Sequence, residues 1–337
     1  MGKLQMILVV IMLTISLPPA RAIEGGQQAL GTQLVLPMMV DLGIGKDAYG
    51  NPSNKPSFRC SASLITSQII LTAAHCVAKS DTSDGSLFMP TTNLKLFPPG
   101  IDFNEINKAI SVEKVVFTSG YANYWNPTVG DARTQKDDIA FLFISKPLTP
   151  ELANYKIEIA NEEDVNSMKQ NGSIVKHYGY GLQKTGYGDG KPYTVDLITN
   201  PLGSARYGNA AAENSKTIST NETGVKAICP GDSGSPWYSD FNGKLKLVAN
   251  TVGGSGCGNG SINGALGTLV YPYLDLMNKE WLIFKASLPT QTPIISPKPT
   301  PYKKTGINIT CVKGKIIKKF LSINGKCPSG YKKRQLK

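Results

Sequence analysis

Residues 229–236 of this chain read Cys-Pro-Gly-Asp-Ser-Gly-Ser-Pro. Small residues surround Ser233, so the backbone N–H groups of Gly231 and Ser233 can converge on one point beside it. Two such donors would stabilise the oxyanion that develops when a hydroxyl attacks a carbonyl carbon, and one donor is typically worth about 3 kcal/mol of the barrier. The segment therefore makes Ser233 a candidate nucleophile.

Two earlier segments supply the groups that such a serine needs. Residues 71–76 read Leu-Thr-Ala-Ala-His-Cys, and residues 137–142 read Asp-Asp-Ile-Ala-Phe-Leu. A serine hydroxyl is a poor nucleophile, and an imidazole can take its proton near neutral pH. A carboxylate fixes the imidazole tautomer and stabilises the imidazolium that forms. His75 is the candidate general base, and Asp138 and Asp137 are rival candidates for the carboxylate.

The three segments lie among short runs of β-type residues separated by clusters of Gly, Pro, Asn and Ser. These runs cover residues 34–40, 61–65, 68–72, 112–117, 139–144, 174–178 and 245–252. Many short strands with little helical periodicity predict an all-β sandwich or barrel. A helix is expected near the end of this block, where Leu274, Met277, Trp281 and Phe284 follow helical spacing.

Taken in order, TAAHC, DIA-F-L and GDSG-x-P resemble the signature set of the trypsin-like serine proteases, the chymotrypsin-fold S1 family. The resemblance extends over residues 23–286, and the order His, Asp, Ser separates the chain from subtilisin-like proteins and α/β-hydrolases. It implies two six-stranded antiparallel β-barrels with the site in the cleft between them. It also implies a secreted endopeptidase that cleaves protein or peptide substrates through an acyl-enzyme and needs no cofactor.

The same resemblance assigns roles to individual residues. His75, Asp138 and Ser233 are implied as the catalytic triad, with the N–H groups of Gly231 and Ser233 as the oxyanion hole. Asp138 is preferred to Asp137 because it directly precedes Ile-Ala, as in the family's D-I-A motif. In the family, a serine on an opposite strand caps the triad, and Thr251 or a residue one position away aligns with it.

The chain has six cysteines, an even number, which favours disulfides in an exported protein. The resemblance implies a bond between Cys60 and Cys76 at the histidine loop and one between Cys229 and Cys257 at the substrate pocket. The third pair, Cys311 and Cys327, would close a separate hairpin in the tail. Other disulfides common in animal relatives are absent from the sequence, which favours a bacterial member. Neither His75 nor His177 sits in a metal-ligand spacing, so no metal site is expected.

The beginning of the chain predicts export. Residues 1–22 combine a lysine, a short apolar run and the small-residue site Ala-Arg-Ala, the layout of a secretory signal peptide. Ile23 then begins an Ile-Glu-Gly-Gly segment that resembles the Ile-Val-Gly-Gly amino terminus of the family. The freed amino group there pairs with the aspartate before the nucleophile, here Asp232. Cleavage after Ala22 would create this terminus directly, so no separate propeptide is expected.

The substrate preference can be argued from the position six residues before the nucleophile. An aspartate at this position in the family selects Lys or Arg side chains, whereas this chain has Ala227 followed by Ile228. A buried cation without a partner would be destabilised by several kcal/mol. The sequence therefore predicts an uncharged, apolar P1 side chain, with Gly253 and Gly254 in the small wall of the pocket.

A separate tail follows the β-rich block. Residues 287–305 are rich in Pro and Thr and predict an extended linker. Residues 287–337 hold 12 Lys and Arg and no Asp or Glu, which equals the formal net charge of the whole chain, +12. Residues 306–337 are therefore expected to form a small basic, disulfide-closed hairpin.

The tail has two interpretations. It is either a solvated basic appendage or a module that holds the protein on an anionic cell surface, such as wall polymers, acidic polysaccharide or lipid head groups. No aromatic stacking array supports a nucleic-acid partner, and no transmembrane segment is expected after residue 22. For the protein as a whole, the competing class is a non-catalytic homologue that acts as an exported surface-binding protein. An esterase with the same machinery also stays open.

Overall fold

The computed structural model describes residues 23, 25–40, 58–78, 91, 94–101, 109–125, 133–181, 190–200, 216–221, 226–254, 264–289, 307–322 and 326–334. These residues belong to two compact units, one ending at Leu288 and the other beginning at Pro289. Among the described helices, none combines the length and the hydropathy needed to cross a membrane.

The first unit is mostly β. Its strands, in chain order, are β1 (Gln27–Gln28), β2 (Leu36–Val40), β3 (Phe58–Thr66), β4 (Ile69–Thr72), β5 (Leu94–Leu96), β6 (Ile110–Ser111), β7 (Lys114–Phe117), β8 (Ala122–Trp125), β9 (Arg133–Lys136), β10 (Ala140–Phe143), β11 (Glu158–Ile159), β12 (Ile174–Gly179), β13 (Tyr193–Thr199), β14 (Thr217–Asn221), β15 (Pro236–Phe241), β16 (Lys244–Gly253) and β17 (Ala265–Leu269). Its α-helices are α1 (Glu162–Asn171) and α2 (Leu274–Ser287).

Seven strands form an antiparallel sheet in the order β6-β5-β2-β3-β4-β10-β7. Every residue of β4 and β10 is buried, because the sheet is covered on both faces there. Successive side chains alternate between the faces. Ile70 and Leu142 accordingly pack in one hydrophobic cluster, and Leu71 and Phe141 pack in another. A strand buried on both faces explains the uninterrupted apolar runs that the sequence shows here.

Six strands close into a barrel in the order β13-β12-β15-β16-β17-β14, with β14 pairing back to β13. Two short strands, β1 and β11, pair with this barrel at β13 and β16. Its core is built from inward-facing residues such as Val175, Trp237 and Val248. The expected chymotrypsin-like architecture is confirmed by this closed barrel. Within the described residues, however, the first sheet has seven strands and stays open, where a six-stranded barrel was expected.

The two sheets pack against each other and against α2. Their shared cluster combines Leu71 and Phe141 of the first sheet with Tyr238 and Leu247 of the barrel. The helix α2, which the spacing of its apolar residues predicts, adds Phe284 to this cluster. The helix α1 was not predicted. It is mostly polar, and its beginning is fixed by a capping box between Asn161 and Asp164.

The second unit contains a small antiparallel sheet. Its strands are β18 (Ile307–Lys313), β19 (Ile316–Ser322) and β20 (Lys332–Lys333), in the order β19-β18-β20. Cys311 and Cys327 form a disulfide, and the rings of Phe320 and Tyr331 meet edge to face at 5.3 Å. The expected hairpin is therefore extended by a short third strand.

Candidate active site

His75 lies at the end of the first sheet, in a single 3-10 turn over Ala74–Cys76 that directly follows β4. The turn is tied to β3 by the disulfide between Cys60 and Cys76. Both neighbours of His75, Ala74 and Cys76, are fully buried, whereas 20% of the His75 side chain is exposed. The backbone is therefore held in the core while the imidazole reaches the surface.

Asp138 binds His75 through both of its carboxylate oxygens. Oδ2 lies 2.7 Å from Nδ1 of the imidazole, and Oδ1 accepts a 2.8 Å hydrogen bond from the backbone N–H of His75. An ionised carboxylate only accepts hydrogen bonds, so Nδ1 is the donor in this contact, and in the neutral form of the imidazole Nε2 would then keep a lone pair. Asp138 is 1% exposed, which keeps water from competing for these two bonds. The imidazole is thus held in one orientation by Asp138.

The rival carboxylate, Asp137, points elsewhere. Its side chain accepts hydrogen bonds from Tyr273 at 2.6 Å and from Lys216 at 3.3 Å. Asp137 has a positive φ of 52°, and its carbonyl accepts a bond from the N–H of Ile139. This sharp turn sends the two adjacent aspartates in different directions, so only Asp138 binds His75.

Ser233 lies in a turn between two glycines with positive φ, Gly231 at 96° and Gly234 at 80°. The turn is held against the first sheet by Ser61 of β3. The N–H of Ser61 donates to the carbonyl of Ser233 at 2.8 Å, and its hydroxyl donates to the carbonyl of Gly231 at 3.1 Å. Sγ of Cys76 lies 3.8 Å from the same Ser233 carbonyl. These contacts bring the serine turn beside the histidine turn.

The side chains of Ser233 and His75 do not form a hydrogen bond with each other within the described structure. Ser233 is half-buried. Hydrogen bonds of this kind are often long in proteins without substrate and tighten when substrate binds.

The backbone donors of the serine turn differ from one another. The N–H groups of Asp232, Gly234 and Ser235 donate to the carbonyls of Cys229, Thr251 and Asp232. In contrast, the N–H groups of Gly231 and Ser233 have no acceptor among the described residues. Unpaired N–H groups beside a hydroxyl can donate hydrogen bonds to an oxyanion and stabilise its negative charge.

Asp232 is fully buried beneath this turn. Its carboxylate accepts 2.7 Å and 2.8 Å hydrogen bonds from the N–H groups of Gly181 and Cys229. A Cβ at Gly179 or Gly181 would collide with this carboxylate, so the glycines let the backbone approach it. Ile23, its expected partner, is 1% exposed and packs in the core of the closed barrel with a φ of 57°.

The expected pocket residues lie at different depths. Ala227 is 4% exposed, and Ile228 packs in the barrel core. Gly253 and Gly254 are partly exposed at the end of β16. Cys229 is disulfide-bonded, and its expected partner Cys257 lies outside the described residues.

One polar residue of the site, Ser61, was missed in the sequence, and the hydrogen bonds of Thr251 differ from those expected. Ser61 holds the serine turn, and Asn250 donates a 3.2 Å hydrogen bond to the backbone carbonyl of Asp138. The hydroxyl of Thr251 lies 2.7 Å from Oγ of Ser235 and accepts a 2.9 Å bond from the indole of Trp237. Thr251 of β16 therefore binds Ser235 and Trp237, where β15 begins, just after the serine turn. Ser61 belongs to no sequence motif that could have identified it, whereas Asn250 lies one position from Thr251, within the range that the family resemblance allowed.

One cluster has the composition of a metal site. The ligand atoms of Cys60, His75 and Cys76 lie within 4.8 Å of one another. Cysteine binds metals as a thiolate, but the two sulfurs here are joined in a disulfide. The cluster is therefore a support for the histidine turn.

Comparisons with known proteins agree with this geometry. A family model described as Trypsin matches residues 23–277. Trypsin zeta of Drosophila erecta is 28% identical over 201 residues, which cover 56% of this chain and 63% of the relative. Serine protease Hayan of Drosophila melanogaster is 25% identical over 263 residues, or 72% of this chain and 38% of the relative. The chain thus spans less than two thirds of either relative. Since the family model matches more than half of the chain, the protein belongs to the trypsin family.

Proposed function

We propose that this protein is a secreted serine endopeptidase that uses Ser233, His75 and Asp138. The observation that carries the proposal is the pair of short contacts by which Asp138 holds the imidazole and the backbone of His75. Asp138 is 1% exposed, and its carboxylate binds a single imidazole. This arrangement would orient His75 as a general base.

In the proposed reaction, Nε2 of His75 takes the proton of Ser233 as Oγ attacks the carbonyl carbon of the peptide bond. The oxyanion is stabilised by the N–H groups of Gly231 and Ser233. The tetrahedral intermediate collapses, and His75 gives its proton to the departing amine. Water then attacks the acyl-enzyme with His75 again as base, which releases the acid and restores the serine.

A fluorophosphonate probe tests the proposal, because it forms a covalent bond with an activated serine. We expect one adduct in the intact mass of the protein and no adduct on Ser233→Ala. Ser239→Ala is the matched control, since Ser239 is buried in β15 and its hydroxyl donates to the backbone carbonyl of Ile174. A correctly folded protein without any adduct would instead support the non-catalytic, surface-binding homologue.

For specificity, we propose an uncharged, apolar P1 side chain. The support is Ala227, which is 4% exposed and offers no carboxylate to a cationic side chain. A peptide library read by mass spectrometry tests this. The native protein is expected to cleave after apolar residues, and Ala227→Asp is expected to shift cleavage towards Lys and Arg. Native cleavage chiefly after Lys or Arg would contradict the proposal.

We also propose that residues 1–22 are removed on export and that the basic second unit holds the protein on an anionic cell surface, with an anionic polymer as one candidate. The absence of any acidic residue from positions 287–337 supports this attachment. Amino-terminal sequencing of the secreted protein should begin at Ile23, and deletion of residues 287–337 should release it from cells.

A further inference from the structure

The second unit carries a strong positive charge on a small sheet. Its described residues include eight cations: Lys313, Lys315, Lys318, Lys319, Lys326, Lys332, Lys333 and Arg334. No acidic residue occurs anywhere in positions 287–337, so nothing within this segment neutralises them. The sheet is therefore complementary in charge to an anionic partner.

The apolar interior of this sheet is accounted for by its own residues. Ile309 and Cys311 are 5% and 0% exposed, and they share a face with Phe320, which pairs with Ile309 across the strands. The disulfide to Cys327 and the ring of Tyr331 cover that face. Residues left exposed elsewhere in the sheet are therefore not part of this core.

Two aliphatic residues stand outside the core, at the end of the hairpin. Ile316 and Ile317 begin β19 directly after the turn at Gly314 and Lys315, and they are 52% and 54% exposed. Because neighbouring residues of a strand point to opposite faces, each face of the hairpin end carries one exposed isoleucine. Lys313 pairs with Ile316, and Lys318 follows Ile317, so cations flank the pair.

The exposed isoleucines favour one class of anionic partner over the others. A polymer chain or a flat protein surface contacts one face of a hairpin and needs only its cations. In contrast, insertion between lipid head groups covers both faces at once, and lysine stems can lie along the apolar layer while their ammonium groups reach the phosphates. Exposed isoleucines on both faces, flanked by lysines, fit the second case.

We propose that the hairpin end at residues 313–319 inserts into the interface of an anionic lipid bilayer, with Ile316 and Ile317 in the apolar boundary and the flanking lysines at head-group phosphates. This inference rests on the proposed attachment to an anionic surface and is independent of the catalytic proposal.

Vesicle flotation of the full chain tests the inference. The Ser233→Ala background prevents self-cleavage, and the probes are vesicles of phosphatidylcholine alone and of phosphatidylcholine with phosphatidylglycerol at about three to one. We expect binding to the anionic vesicles only. Replacing both Ile316 and Ile317 by serine should weaken binding at least about tenfold, because their apolar area no longer leaves water. Lys315→Gln with Lys318→Gln should weaken it by a similar factor.

The matched control replaces Ile174 and Ile198, which pair on the first unit and are 62% and 57% exposed. Serine at these two positions should leave vesicle binding unchanged. Retention on immobilised dextran sulfate without any vesicle binding would overturn the lipid inference but keep the attachment proposal. Binding to neither probe would overturn both. Equal vesicle binding by the Ile316→Ser, Ile317→Ser protein would also overturn insertion, and an intact disulfide by mass shows that the variant is folded.

Discussion

The phenolic hydroxyl of Tyr273 donates a 2.6 Å hydrogen bond to Oδ1 of Asp137, the residue that directly precedes Asp138. Tyr273 lies in the short turn that leads into α2, and Lys216 reaches the same oxygen at 3.3 Å. Asp137 thus ties the turn that carries Asp138 to the closed barrel and to the beginning of the helix. Asp137 does not itself bind His75, but it helps to hold the position of Asp138, which does.

Replacing Tyr273 by phenylalanine should destabilise the protein by about 1–3 kcal/mol, because the buried carboxylate of Asp137 loses its shortest hydrogen bond. The free energy of unfolding in urea measures this loss. Tyr271→Phe, in the same turn, is the control and should change it little. Equal unfolding midpoints for Tyr273→Phe and the native protein would show that the bond is not needed for stability.

The two adjacent aspartates should differ sharply when each is changed to asparagine. Asp138→Asn removes the acceptor that fixes the His75 tautomer, and kcat/KM on a peptide substrate should fall by about 10⁴. Asp137→Asn leaves both bonds to His75 in place and should change kcat/KM by less than about tenfold. Similar losses in both variants would mean that the two residues act as one unit.

Much of this site could be predicted from the sequence because its parts lie in contiguous segments. The segment 71–76 combines the end of the buried strand β4 with His75, which follows it. The segment 137–142 combines Asp138 with the beginning of the buried strand β10. Each segment therefore predicts a strand together with a candidate side chain of the site. The choice of Asp138 over Asp137 needed the family motif, since a carboxylate's direction depends on backbone turns such as the positive φ at Asp137.

The features that the sequence did not predict depend on contacts between residues that are far apart in the chain. Ser61 contacts Gly231 across 170 positions, and no local pattern indicates such a bond. The pairing of β16 with β17 shifts register between Thr251 and Gly253, and no local sequence pattern indicates this irregularity. Helix α1 was missed because its sequence is largely polar: its buried apolar residues are Val165 and Met168, and the third buried residue that the structure describes is the charged Lys169. Its capping residues, Asn161 and Asp164, were the available signal.

Ser61→Ala should disturb the serine turn without touching the proposed triad. The change removes the hydroxyl that donates to Gly231 and accepts a 3.0 Å bond from the N–H of Tyr180, at a site that is fully buried. We expect a loss of about 1–3 kcal/mol in unfolding free energy, together with slower labelling by a fluorophosphonate probe. Ser63→Ala, two residues along β3, is the control for removing a buried hydroxyl. Labelling at the native rate would argue against a role for Ser61 in shaping the turn.

His177 should make the protein sensitive to acid. It is fully buried on β12, its ring lies 4.2 Å from that of Trp237, and neither ring nitrogen has a hydrogen-bond partner among the described residues. Burial lowers the pKa of His177 from 6.5 to about 3. Between these values the unfolded chain binds a proton that the folded protein does not. Proton binding therefore favours the unfolded chain as the pH falls below about 6.5. The free energy of unfolding should drop by about 3 kcal/mol between neutral pH and about pH 4.

Comparison with His177→Leu isolates this contribution from the carboxylates that titrate in the same range. Leucine has a similar volume and no proton to bind, so the difference in unfolding free energy between the variant and the native protein should shift by about 3 kcal/mol in favour of the variant from pH 7 to pH 4. Urea unfolding at a series of pH values measures it. A difference that stays constant with pH would mean that His177 is protonated, or accessible to water, in the folded protein, and the acid sensitivity would then have to come from other groups.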